Sequence, residues 1–200
     1  MAEARLITPE ELAEAIQKLR FPKPKISSEE AAKKAVARYT ERIVMNHCAP
    51  STIEVLQEAY DLPGGELLPW IANGFRGGVL IGEICGVLSG AAMCLSLMAY
   101  KVLEPRTDHE RRIAAYAIEP YMYDIAYAFH TRFGSIRCAT LTGRLERTPM
   151  ETEKHLRLRL WEARCSPYVD FVVRTMVKWG EDAQLPPPPL PPFGPRLKFD

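Results

Sequence analysis

The chain has 200 residues, of which 47% are hydrophobic and 26% charged, and its formal net charge is +1. That length suits one domain with a real core, and the balanced charge gives no reason to expect nucleic acid or an acidic membrane surface as partner. The basic run from Arg137 to Arg164 is interrupted by Glu146, Glu151, Glu153 and Glu162, which reads as a solvated helix face.

In chain order the sequence reads as helix after helix. The opening stretch lacks the apolar core and cleavage site of a signal peptide, which predicts a cytoplasmic protein. "TPEELAEAIQKLRF" has Thr8 as N-cap and Pro9 at the first helical position. After the break "FPKPK", a helix is expected from Ser27 or Ser28 through Cys48, closed by Pro50. "STIEVLQEAYDL" is the next, ended by the prolyl-glycines at 63–65. A short element at "ELLPWIANGF" runs into the glycine-rich loop "GFRGGVLIG", and an apolar helix is predicted from about Gly82 to Leu103. Residues 84–100 carry no charge. Seventeen residues fall short of a bilayer-spanning helix, so a buried central helix is expected there and no membrane span.

Residues 107–134 form a long helical pattern with Pro120 inside it, which predicts a kink or two shorter helices. Tyr116, Tyr123 and Tyr127 share one face, expected to be core or dimer interface. "SIRCATLTG" reads as a short helix capped by Ser135, and two final helices are predicted to hinge near Cys165, Ser166 and Pro167. No alternating strand pattern and no repeat occurs, so the fold class is all-α, a multi-helix bundle. The expected organisation is an N-terminal helix and linker over 1–26, a helical cysteine-containing domain over 27–182, and an extended proline-rich tail over 183–200.

The five cysteines are Cys48, Cys85, Cys94, Cys138 and Cys165. None forms a C-x-x-C pair or a haem-attachment motif, so any shared site is built by the fold. In a reducing cytosol five cysteines point to metal or redox chemistry, or to inert buried thiols, rather than to disulfides. All but Cys94 lie near expected helix ends. Cys85 and Cys138 sit at helix starts, where the unsatisfied N–H groups are expected to lower a thiol's pKa. Nine residues along a continuous helix is 900°, half a turn beyond two full turns, so Cys94 points away from Cys85. That leaves Cys48, Cys85, Cys138 and Cys165 as a candidate metal-ligand set. Gly82, Gly86 and Gly90 give a face open to close backbone approach. Gly77, Gly78, Gly82 and Gly86 are the candidate backbone contacts to whatever Cys85 holds. His47 beside Cys48 is a possible ligand, more simply a cap. Glu83 reads as a first-turn helix acid, and His109, His130 and His155 lie on charged faces.

The order "NHCAPSTIEVLQEAYDL … ANGFRGGVLIGEICGVLSGAAM … FHTRFGSIRCATLTG … ARCSPYVDFVVR" resembles the C_GCAxxG_C_C family of redox-active proteins over about residues 30–180. The family's glycine motif is matched here by "CGVLSG", with Val87 in place of alanine. The resemblance extends to part of the split-Soret cytochromes c, where such cysteines accompany an iron cluster. It therefore implies that Cys48, Cys85, Cys138 and Cys165 gather around iron–sulfur, without the haem. Three readings stay open. One is an iron–sulfur protein that carries electrons to a redox partner, expected as a homodimer. The second is a thiol–disulfide or sensor protein. The third is a structural or interaction protein, with zinc or no metal.

Overall fold

The computed structural model describes residues 5–41, 47–143 and 160–182. The described residues are helical: α1 (Pro9–Lys18), α2 (Ser28–Glu41), α3 (Cys48–Tyr60), α4 (Leu67–Ala72), α5 (Gly86–Leu103), α6 (Asp108–Ala117), α7 (Glu119–Phe133), α8 (Cys138–Thr142) and α9 (Leu160–Glu181). The proline-rich tail, His155 and the expected helix start near residue 148 lie outside them.

Capping chemistry fixes two helix starts. Thr8 accepts from the Glu11 N–H while the Glu11 side chain accepts from the Thr8 N–H, and Thr107 and Glu110 repeat the arrangement at α6. Pro120 splits the 107–134 pattern. Ile118 separates α6 from α7, and the proline occupies the first turn of α7, where its missing N–H leaves no bond unmade.

Small residues and aliphatics set the packing. The buried stripe Ala31, Ala35 and Tyr39 of α2 lies against α9, where Val169, Val172, Val173 and Met176 are fully buried. Gly90 of α5 lies so close to α3 that a Cβ there would meet the Ala49 carbonyl oxygen at 2.9 Å. By length and composition α5 is able to cross a bilayer, and half of it is buried within the molecule. Phe21 stands edge-on to Tyr60, Tyr121 and Trp179, so the segment after α1 shares the same core.

Several expected boundaries move. Cys48 does not end a helix; it opens α3, with Pro50 in the first turn. The apolar helix starts at Gly86, not Gly82, because residues 77–82 form a tight left-handed and π-type turn first. Cys138 is capped by Arg137 rather than Ser135, whose hydroxyl accepts from the Arg137 N–H instead. There is no hinge at Pro167. α9 runs through it, since an interior proline costs about 3 kcal/mol while each of the four buried aliphatics contributes about 1.5–3 kcal/mol. The tyrosine face is not core: Tyr116, Tyr123 and Tyr127 are all exposed, with Tyr123 and Tyr127 stacked.

A candidate thiol centre

Three local devices bring the segments of four cysteines together. Cys48 and Cys85 are joined by a glycine. Gly86 has no side chain, and a Cβ there would lie 2.5 Å from the Cys48 Sγ and 3.0 Å from the Phe75 carbonyl oxygen. Only glycine allows the start of α5 to approach the start of α3 this closely.

Cys85 and Cys138 are joined by an antiparallel bridge between Ile84 and Arg137. The Cys85 N–H donates to the Ile136 carbonyl at 2.8 Å, and the Cys138 N–H donates to the Glu83 carbonyl at 2.6 Å. Glu83 therefore is not a first-turn helix acid. It precedes the helix, and its carboxylate takes a 2.7 Å ion pair from Arg137 on the outside of the bridge.

Cys138 and Cys165 are joined because α8 is latched to α9. The Tyr168 hydroxyl donates to the Leu141 carbonyl at 3.2 Å, and the Arg164 guanidinium donates to the Thr142 carbonyl. The buried Tyr39 of α2 lies within electrostatic reach of Cys165 across the α2–α9 contact. Tyr39 is buried, and Cys165, Cys48 and Cys85 all raise its pKa on top of burial.

The electrostatics report the same convergence. Burial pushes the Cys85 thiol well above its ordinary value; Cys48 pushes it further, and Cys138 and Cys165 add to that, while the Val87 N–H opposes. Cys48 keeps partial solvent exposure, yet desolvation of its sulfur still raises it, against N–H groups of Gly77, Ala49, Cys48 and Gly86 that favour the thiolate. The expected lowering at Cys85 is thus overturned: withdrawal from water outweighs the helix start. Cys94 is fully buried and raised by burial alone, with no neighbouring thiol. Cys85 is the cap of α5 rather than a residue of its helix, so the half-turn offset expected between Cys85 and Cys94 does not apply.

The candidate glycines divide by role. The N–H groups of Gly77 and Gly86 face the Cys48 sulfur. Gly78 and Gly82 shape the turn: a Cβ on Gly78 would strike the Glu83 backbone at 2.5 Å, and the Gly82 N–H donates to the Gly77 carbonyl at 3.1 Å. His47 caps α3 without a side-chain bond, and burial lowers it to about 4, so its imidazole is neutral. His109 lies against Glu11, away from the cysteines.

Four buried side-chain oxygens and nitrogens find no partner among the described residues. They are Ser51 Oγ, one turn after Cys48; Asn73 Oδ1, before the glycine loop; Arg137 Nε, beside Cys138; and Ser166 Oγ, beside Cys165. Buried polar atoms of a folded protein are otherwise nearly all satisfied. Among the described residues no three His, Cys, Asp or Glu side chains are spaced to ligate one metal ion. A surface cleft of ≈ 640 Å³ near Arg38, Glu58 and Trp70 is lined by none of the four cysteines.

Sequence reasoning missed Tyr39. The available signal was a tyrosine on the small-residue stripe of α2, where the ring is buried and the hydroxyl then needs a partner.

No curated protein and no solved structure matches the chain. A family model described as "Putative redox-active protein (C_GCAxxG_C_C)" matches residues 46–179, the span that holds all four convergent cysteines, the glycine turn and both latches. The chain belongs to that family of redox-active proteins.

Proposed function

We propose that Cys48, Cys85, Cys138 and Cys165 hold an iron–sulfur cluster and that the protein passes electrons through it to a redox partner. The observation that carries this reading is the packing that brings the Cys85 segment against the Cys48 segment at Gly86 and against the Cys138 segment at the Ile84–Arg137 bridge.

The donor set fits in kind. Four thiols are the usual protein ligands of a cluster. Buried, protonated thiols are poor nucleophiles, which weakens the thiol–disulfide alternative; a cationic group among them would let all four ionise. Zinc at the same four thiols is the competing occupant, and metal analysis separates the two.

When bound, the cluster supplies one-electron chemistry. The chain does the rest. The Gly77 and Gly86 N–H groups beside Cys48, and the Tyr39 hydroxyl near Cys165, would donate to ligand sulfurs, withdrawing charge and raising the potential. The aliphatic packing of α5 and α9 keeps water from the inner side.

The test is anaerobic purification and reconstitution, with an optical spectrum and iron, sulfide and zinc analysis on one sample. A brown protein bleached by dithionite is expected; Cys85→Ser loses the colour and Cys94→Ala keeps it. Stoichiometric zinc in a colourless protein, or a colourless, metal-free protein after reconstitution, overturns the reading.

A further inference from the structure

The turn beside the thiols carries a second message on its outer side. Gly77, Gly78, Val79 and Leu80 are four consecutive residues with left-handed backbone, φ between 58° and 63°. For side-chain-bearing residues that conformation costs roughly 1–2 kcal/mol each, and for β-branched Val79 it is an outlier. The turn thrusts its aliphatics outward: Val79, Leu80 and Ile81 are 54%, 47% and 65% exposed.

They do not stand alone. Ile84 follows on the bridge, and Phe75 leads back to α4, whose Leu67, Trp70 and Ile71 are exposed at spacings of three and four along one helix face. These eight are most of the exposed large hydrophobic residues among the described ones. A half-exposed large side chain presents on the order of 100 Å², so together they offer about the 800 Å² per partner of a standard interface. Patches of this size mark binding surfaces.

We infer that this face pairs with the same face of a second copy of the chain. Charge is what selects that occupant. Residues 67–84 contain only Arg76 and Glu83 as charged groups, a net of zero, and Glu83 is already paired with Arg137. An identical surface therefore meets it without repulsion, as a two-fold interface requires. A basic rim for an anionic bilayer and a one-signed field for a charged partner are both missing from this stretch. The pairing offsets the strain of the turn, because it buries the side chains that the left-handed backbone forces out. It does not depend on what the cysteines hold.

The full-length chain is measured by sedimentation velocity from 1 to 100 µM, with a dimer of twice 22.6 kDa expected. The Leu80→Glu, Ile81→Glu double variant sediments as a monomer with unchanged helical circular dichroism. Ile81→Cys, oxidised mildly, gives an intermolecular disulfide that Tyr123→Cys does not. A wild-type monomer at every concentration overturns the pairing, and so does binding of that monomer to neutral phosphatidylcholine vesicles. A dimer that survives the double variant, or that cross-links only through Tyr123→Cys on the tyrosine face, overturns it equally.

Discussion

The Cβ that Gly86 lacks would occupy a point 2.5 Å from the Cys48 sulfur. That absence seats two thiol-bearing segments against each other, and it makes Gly86 the position least able to change. Gly86→Ala forces α3 and α5 apart and is expected to lower stability by about 1–3 kcal/mol, as read from urea denaturation, and to lower bound iron. Gly74, also in the loop region but with open space around it and no positive φ, is the control. Gly74→Ala should stay within ~0.5 kcal/mol of the parent; equal losses at both positions would sink the argument.

Tyr39→Phe removes only the hydroxyl that lies near Cys165. The ring still fills its place against α9, so the melting temperature moves little. Deleting one donor to a ligand sulfur should lower the potential of the loaded protein, measured by redox titration. An unchanged potential would confine Tyr39 to packing.

Below neutrality the helix starts are the sensitive points. The Thr8 N–H, and then His109, hold the Glu11 carboxyl below its usual value; the Thr107 and Arg106 N–H groups do the same for Glu110. A depressed folded-state pKa means that the stabilisation is present above the unfolded carboxyl value of about 4.3 and is lost as pH falls through the folded value. Thermal melts should therefore fall between pH 5 and pH 3 by less in Glu11→Gln, which has no carboxyl to titrate at this cap, than in the parent. Thr8→Ala, which keeps the N–H but loses the capping hydroxyl, is expected to be about 1 kcal/mol less stable at pH 7.

At high pH the sign reverses. Burial raises Cys94 and, more than any other influence, Tyr60. Groups raised in the folded state contribute stability that is intact below their unfolded values of about 8.5 and 10 and is lost as pH climbs beyond them. The metal-free protein should therefore lose stability steadily above pH 8.5, and Cys94→Ala should flatten the first part of that decline. A flat profile to pH 10 in the parent would contradict the burial of both groups.

How far the fold was legible depended on whether the signal was local. The cap at Thr8 and the split at Pro120 rest on a few neighbouring residues, and the structure has them where the sequence placed them. Pro167 misled because its local reading, a hinge, is outweighed by the contact of α9 with α2, to which no neighbouring residue testifies. The turn at 77–80 was equally hidden: Val79 and Leu80 have no local preference for left-handed backbone and adopt it because Gly77, Gly78 and Gly82 close the loop around them. Among the thiols, the antiparallel bridge that brings Cys138 to Cys85 joins residues 53 apart and left no periodic trace.

Cys165 stands 117 residues after Cys48 and reaches the others from α9. Synthesis at about 5–20 residues per second separates the emergence of those two thiols from the ribosome by roughly 6–23 s. Throughout that interval α3 and α5 are available while the helix that completes the thiol set, and covers the alanine stripe of α2, is still to be made. The nascent chain thus presents three of its four sulfurs to the cell before the fold can close over them, and whatever loads or protects the site has that window in which to act.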